Sequence, residues 1–315
     1  MKQVSIVIPV YNAAESLPIL LERLSRLRDQ IQCIEEVILV NDGSRDESWS
    51  VIRELHGLYP WVQGFNLMRN YGQHNALLSG IRAARGEIVV TMDDDLQNPP
   101  EEIPRLLAKL EEGYDVVYGA PEKEQHGFLR DLASRITKVA LQAAMGAETA
   151  RDVSAFRAFR TRIREAFANF KGSYVSIDVL LTWGGQRFTA VRVQHHSRPM
   201  GVSNYTVRKL IVHAMNMITG FSVVPLQVAS IVGFLFTLFG IGVLGIVLLR
   251  YVMHGDSVPG FPFLASVIAI FSGAQLFALG IIGEYLARVH FRLMDRPSYV
   301  VETTISSEHQ QRRPL

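Results

Sequence analysis

Three successive carboxylates, Asp93-Asp94-Asp95, close the apolar run Ile88-Val89-Val90-Thr91-Met92 and are followed by Leu96-Gln97. The run suits a buried strand, and three acids cannot continue it. Unpaired carboxylates beside apolar surroundings are costly unless a cation or hydrogen bonds balance them. In an extended tip alternate residues point the same way, which puts Asp93, Asp95 and Gln97 on one face and turns Asp94 away. Oxygen donors grouped like that suit a hard divalent ion that keeps positions open for phosphate oxygens. A solvated acidic turn is the competing reading, and the surroundings must decide.

The elements ahead of the triplet give it those surroundings. Val4–Val10 reads as a buried strand, ended by Pro9 and the polar turn Tyr11-Asn12. Leu17, Leu20, Leu21, Leu24 and Leu27 follow at helical spacing. Glu36–Val40 is the next strand, closed by Asn41-Asp42-Gly43-Ser44. A helix around Glu47–His56, a short strand near Gly64–Met68, a helix over Asn75–Ala84 and the strand Glu87–Met92 complete the alternation. Strands alternating with helices predict a parallel sheet covered on both faces, and such sheets bind ligands beyond the C-terminal ends of their strands. Pro9–Asn12, Asn41–Ser44 and Asp93–Gln97 all fall at those ends. Beyond them, Pro99-Pro100-Glu101-Glu102 sets a helix start that runs to about Gly113, and Asp115–Tyr118 gives a further strand.

The chain has 315 residues, a formal net charge of +2 and a single cysteine, Cys33. No basic footprint for nucleic acid is evident, and no intramolecular disulfide is possible. The N-terminus runs straight into a strand with no signal-peptide pattern. Between Lys209 and Glu284 the only Asp, Glu, Lys or Arg residues are Arg250 and Asp256. Val223–Leu249 and Phe261–Gly283 each exceed or match the roughly 20 residues that cross a bilayer. The turn chemistry of Arg250–Gly260 predicts a hairpin, and Gly233, Gly240, Gly242, Gly245, Gly273 and Gly280 offer close helix contact. Arg208 and Lys209 before the first span, and Arg288, Arg292 and Arg296 after the second, place both termini in the cytoplasm. The basic amphipathic segment Phe128–Met145 suits a helix lying at the membrane interface. The predicted organisation is a cytoplasmic domain over 1–205, an interface helix over 206–222, two transmembrane helices within 223–285, and a polar tail over 286–315 whose end, from Tyr299, frays. The uncharged spans also suit homo-oligomer formation.

Taken together, Ser5–Asn12, Asn41–Ser44, Asn70–His74, Asp93–Pro104, Arg198–Tyr205, Gly283–Tyr285 and Arg296-Pro297 resemble the inverting glycosyltransferases of family 2. The likeness is closest to the polyprenyl-phosphate branch, which includes dolichyl-phosphate mannose synthase and the bacterial enzymes that load glucose or an aminoarabinose derivative onto undecaprenyl phosphate. The resemblance implies an α/β fold of the GT-A type, a Rossmann-like, mostly parallel sheet. It also implies a nucleotide-sugar donor of the UDP-sugar type, a polyprenyl-phosphate acceptor at the membrane, and Mg²⁺ or Mn²⁺ as cofactor. Under it, Asp93, Asp95 and Gln97 are the metal and donor residues, with Asp95 also catalytic. Pro9, Tyr11, Asn12, Asp42, Arg69, Gly72, Gln73 and Arg198 bind the donor. Asp152 is the catalytic-region aspartate, and Arg130 and Ser134 hold the acceptor phosphate. Asp42 has a second reading as a turn residue capping the following helix, and Arg69 serves the diphosphate or a structural ion pair. His74 is expected to be a hydrogen-bonded structural residue. Two rival functions stay open: transfer directly onto a growing glycan, and a non-catalytic scaffold that binds nucleotide sugar.

Overall fold

The computed structural model describes residues 2–121, 152–172, 175–196, 224–254 and 260–306. Residues 128–145, 198–205 and 206–222, and with them Arg130, Ser134 and Arg198, lie outside the described residues. An eight-stranded sheet organises the chain, with strands β1 Val4–Val10, β2 Ile34–Asn41, β3 Val62–Leu67, β4 Ile88–Thr91, β5 Val116–Pro121, β6 Arg157–Arg160, β7 Phe188–Val193 and β8 Val301–Ile305. Their spatial order is β7-β5-β6-β4-β1-β2-β3-β8. β1 pairs in parallel with β2 and β4, β2 with β3, and β5 with β7. β6 runs antiparallel between β4 and β5, and β8 runs antiparallel to β3. The sheet is therefore mostly parallel, with two reversed strands.

Helices cover both faces, which explains why the inner strands are apolar throughout: all seven residues of β1 are buried. Ile6 and Ile8 face one core with Leu17, Leu20, Leu21, Leu24 and Leu27 of α1 (Ser16–Ile31), joined by Ile52 of α2 (Ser48–Leu58). Val7, pointing oppositely, joins Ile38 and Val40 against α3 (Gln73–Ala83). Gly80 lets α3 lie this close, because a Cβ there would sit 2.4 Å from Val7 Cγ1. The proline-marked helix start forms one 3-10 turn, Pro100–Glu102, continued by α4 (Ile103–Glu111). A short α5 (Ile177–Thr182) packs into the second core.

A buried acid locks the end of the sheet remote from the polar loops. Glu36, 1% exposed, accepts bonds from Ser5 Oγ at 2.7 Å, Gln63 Nε2 at 2.5 Å, and Arg85 backbone N–H and Nε at 2.7 and 3.0 Å. Ser5 Oγ in turn accepts from Gly86 N–H at 2.8 Å. One carboxylate thus ties β1, β2, β3 and the turn into β4.

The apolar tail forms two long helices, α6 (Val224–His254) and α7 (Phe261–Leu293). Each contains a stretch apolar enough to cross a membrane, Pro225–Val243 and Ile270–His290, and those stretches are only 6% and 0% buried. Such exposure separates them from the core helices of a soluble domain and marks a membrane protein. Phe236 and Phe271 meet edge to face at 5.7 Å. Of the six glycines expected to bring the helices together only Gly240 does so, against Phe271, and the other five have open space around them.

The end of the chain corrects the sequence reading. Residues 299–306 do not fray, because β8 caps the sheet edge at β3 with Gly64↔Ile305, Phe65↔Thr304, Asn66↔Thr303 and Leu67↔Val301. An edge strand left bare is unstable toward other pairings, so the tail is recruited to satisfy it. Lys171 Nζ meets Asp295 Oδ2 at 2.8 Å, Ser298 Oγ donates to Gly172 O at 2.9 Å, and Arg82 lies over the Tyr299 ring at 5.8 Å.

Glu36→Ala strands the Ser5 hydroxyl, the Gln63 amide and the Arg85 N–H, and should lower stability by about 3 kcal/mol. Removing the exposed Arg26–Glu22 pair should do nothing measurable. Thermal unfolding of the two variants in one detergent compares them directly.

Candidate active site at the strand ends

The loops after β1, β2, β3 and β4 meet at one edge of the sheet and are sewn to one another. Asp42 N–H donates to Val10 O at 2.9 Å. Asn12, held at φ +53°, donates its N–H to Ser44 Oγ at 3.0 Å and accepts from Arg45 N–H at 2.8 Å. Ala13 and Ala14 N–H groups reach Ser48 Oγ and Asp46 Oδ2 at 2.9 and 3.1 Å. Burial opposes ionisation of Asp46, but hydrogen bonds from the Ser48 hydroxyl, Ala14 N–H and Ser48 N–H outweigh it and hold its carboxyl below the usual value.

Asp42 is the centre of this network. It is 3% exposed, and its two oxygens accept the backbone N–H groups of Tyr71 at 2.7 Å and Gly72 at 2.9 Å. It therefore does not cap the following helix; it grips the loop between β3 and α3. Gly43, at φ +62°, permits the approach, since a Cβ there would lie 2.5 Å from Arg69 C and Asn70 N. Gly72, at φ +95°, then turns the chain into α3. Arg69 is exposed and its guanidinium stacks over the Tyr71 ring at 4.5 Å, a cation–π contact rather than an ion pair. His74 Nδ1 accepts Ile177 N–H at 3.3 Å, matching the structural role expected of it. Pro9 is buried below this floor, while Tyr11 stands 43% exposed at the rim.

The acidic triplet sits beside that floor with a geometry the alternation rule missed. Gln73 Nε2 donates to Asp93 Oδ1 at 2.7 Å. Asp94 is no bystander, because its Oδ2 accepts Tyr11 N–H at 3.2 Å. Asp95 Oδ1 accepts Gln97 N–H at 3.1 Å, and Leu96 between them is buried in the left-handed region at φ +62°. The segment is a folded turn and not an extended tip, so Asp93, Asp95 and Gln97 do not share a face by strand alternation. Asp93 instead faces Gln73 of α3, and Asp95 closes onto the backbone of Gln97. All three are partly exposed oxygen donors, and among the described residues no three His, Cys, Asp or Glu side chains form a closed ligand set.

Asp152 reaches the same edge, since β6 starts where β4 ends, with Arg157 paired to Thr91. Asp152 Oδ1 lies 3.5 Å from Arg192 Nη2, both partly exposed. Beneath runs a buried ionic layer that sequence reasoning did not find. Arg157, 1% exposed, bonds Asp178 through Nη1 and Thr91 Oγ1 through Nε at 3.0 Å, and Thr91 Oγ1 donates to Ala155 O at 2.7 Å. Tyr118 OH donates to Asp178 Oδ1 at 3.3 Å, and burial, with Asp178 adding to it, drives the Tyr118 pKa well up. The signal was an arginine inside a strand with both faces covered, which demands an acidic partner. Also unforeseen, His196 N–H donates to Gln97 O at 2.9 Å and His195 Nδ1 lies 3.3 Å from Asn98 Oδ1, pinning the end of β7 to the acidic turn.

Two measurements probe the floor. Gly43→Ala forces a Cβ against backbone in a left-handed conformation and should lower stability by about 2 kcal/mol, read as a lower thermal midpoint. Burial pushes the Asp42 carboxyl up, and the Tyr71 and Gly72 N–H bonds offset only part of that rise. A raised carboxyl favours the protonated fold, so its contribution to stability is full below the unfolded pKa and is lost as pH rises through the folded one. Its grip on the loop has the opposite dependence, because the protonated oxygen is a much weaker acceptor for its backbone N–H. Hydrogen exchange of the Tyr71 and Gly72 amides should therefore lose protection as acid protonates Asp42, at a pH above the ordinary carboxylate range of about 4. Asp42→Asn should exchange those two amides faster at neutral pH and lose that step.

Comparison with known proteins agrees with this geometry. Residues 5–170 match glycosyl transferase family 2. An undecaprenyl-phosphate 4-deoxy-4-formamido-L-arabinose transferase of Serratia proteamaculans is 39% identical over 98% of this chain and 95% of its own. The protein of the same name from Pseudomonas savastanoi pv. phaseolicola is 36% identical over 97% and 92%. In fold, the chain is similar to glucosyl-3-phosphoglycerate synthase from Mycobacterium tuberculosis, crystallised with Mn²⁺ and UDP-glucose. The TM-score is 0.51 at 18% identity, covering 69% of this chain and 77% of that one. With its GT-A sheet, its sewn strand-end loops and these relatives, the chain belongs to glycosyl transferase family 2 and is a glycosyltransferase.

Proposed function

We propose that this glycosyltransferase moves one sugar from a UDP-sugar to undecaprenyl phosphate at the cytoplasmic face of the membrane, with inversion at the anomeric carbon. The observation that carries the reading is the union, on one chain, of a polar cluster at the strand ends with two unburied apolar helices. The first suits a nucleotide sugar and the second suits a lipid-borne acceptor. Relatives matching nearly the whole chain carry undecaprenyl phosphate in their names, which supports the acceptor. Both termini in the cytoplasm follow from the basic flanks of the helices.

In this reading Asp42, Gly72 and the exposed Tyr11 ring frame the nucleotide, with Arg69 and Gln73 at the pocket wall. Asp42 keeps a second lone pair on each oxygen for a donor group of the base or ribose. Asp93, Asp95 and Gln97 fit Mg²⁺ or Mn²⁺, because they are oxygen donors in a partial set that leaves room for phosphate oxygens. The ion would neutralise charge on the departing nucleotide. An oxygen of the acceptor phosphate attacks the anomeric carbon as the bond from that carbon to the UDP oxygen breaks. A phosphate monoester has a second pKa of about 6 and is mostly dianionic at neutral pH, so no strong base is needed. Asp152 then orients acceptor or sugar, and Arg130, Ser134 and Arg198 hold the phosphates at either side of the transfer.

The test incubates the purified full-length protein with Mg²⁺ or Mn²⁺, undecaprenyl phosphate and radiolabelled UDP-sugars, UDP-4-deoxy-4-formamido-L-arabinose among them. Label should enter the lipid phase, and Asp95→Ala should cut the rate at least about a hundredfold. Retained UDP binding with no transfer from any donor would sink the catalytic reading in favour of a scaffold.

A further inference from the structure

We propose that the strand following the second apolar helix is a positioning element of the donor pocket, acting through a directed relay Glu302–Asn66–Asn41. The inference rests on reading the strand-end loops as the UDP site.

The relay runs across three adjacent strands. Asn41 of β2 is paired with Asn66 of β3, and Asn66 with Thr303 of β8, beside Glu302. Glu302 is exposed, yet its Oε2 accepts Asn66 Nδ2 at 2.8 Å. Asn66 Oδ1 then accepts Asn41 Nδ2 at 2.7 Å, and Asn41 is 3% exposed. Asn41 Oδ1 receives the backbone N–H of Ser44, a long contact at 3.4 Å, and Ser44 Oγ receives that of Asn12. The residue after Asn41 is Asp42, which holds Tyr71 and Gly72. Backbone reinforces the route, because Met68 N–H, at the entrance to that same loop, donates to Val300 O at 3.0 Å.

The chemistry gives the relay a direction. An amide side chain has one accepting and one donating end, and either end can face a given neighbour. A carboxylate only accepts. Glu302 therefore draws the NH₂ of Asn66 toward itself and turns its oxygen to Asn41. Asn41 must answer with its own NH₂, which leaves its oxygen aimed at Ser44 N–H, the one orientation that suits a backbone donor. A donor at position 302 would reverse both amides and set an NH₂ against the Ser44 N–H. Glu302 and Asn66 are positioning residues: neither lies in the loops that receive the nucleotide.

Substitutions at an exposed edge position leave the fold intact and separate the possibilities. UDP with Mn²⁺ is titrated calorimetrically into the full-length protein in detergent. Glu302→Gln keeps an accepting oxygen and should bind UDP as the parent does. Glu302→Ala releases the first amide and should weaken binding about twofold. Glu302→Lys reverses the relay and should weaken it at least about fivefold, the scale of one misdirected buried hydrogen bond. The thermal midpoints of all three should stay together. Equal UDP affinity for the Lys variant and the parent overturns the relay while leaving the nucleotide site standing. Affinities that merely track thermal stability overturn it as well. A parent protein that binds no UDP overturns the nucleotide site and the relay with it.

Discussion

One carboxylate, Asp42, bears the arrangement on which the site depends. It leaves the last residue of β2, turns into the protein and takes two backbone N–H groups from the loop after β3. That loop is otherwise held by Tyr71 against the second core, by Met68 N–H on Val300 O and by Asn75 Nδ2 on Tyr71 O. Gly43 beside it permits backbone to touch backbone. A pocket built from four separate loops becomes a single surface because one acid and one missing side chain join two of them, and Asn12, Ser44 and Asp94 attach the other two. The acid is held at some expense: burial raises its pKa, so the charged form needed for the grip is the less stable one for the fold. Such opposition between a group's contribution to folding and its contribution to a site is common where function requires a buried charge.

The sheet gains its rigidity from two buried ionic clusters set at opposite ends. Glu36 gathers the strand starts, while Arg157 and Asp178 gather the strand ends under the acidic turn. Between them the inner strands run apolar, over Ile6–Val10 of β1, Val37–Val40 of β2 and Ile88–Val90 of β4. Buried ion pairs add little net stability but penalise any arrangement that leaves a partner alone, and here each cluster touches several strands at once. Thr91 is the hinge of the second cluster, since it bonds Arg157, reaches Ala155 and stands two residues before Asp93. The carboxylates at the mouth are thus oriented from below.

Much of this was legible in the sequence, and the exceptions are instructive. The leucine spacing of α1 gives its buried face residue for residue, because a 3.6-residue period has one solution. The convergence of the loops at the strand ends follows from topology alone. Strand alternation failed at Leu96, where a positive φ folded the triplet into a turn; a leucine gives no warning of that conformation. Asp94 was set aside for the same reason. β8 was hidden because Val301-Glu302-Thr303-Thr304-Ile305 is polar and short, and its partner lies more than two hundred positions earlier. Arg157 and Asp178 find each other only in three dimensions.

The length of α7 has a consequence of its own. Its 33 residues rise about 50 Å, whereas the hydrocarbon layer is about 30 Å thick. Beyond the charge-free stretch Phe261–Gly283, the last ten residues, with Glu284 and Arg288, rise about 15 Å further. The helix continues unbroken to Leu293, and within a few residues the chain is fastened to Lys171, Gly172 and β3. The sheet domain is therefore tied closely to the end of α7, and each residue added to that helix would shift the tie by about 1.5 Å and swing it by about 100°. A change in the length of α7 keeps the heading of the sheet domain only in whole turns of about 3.6 residues.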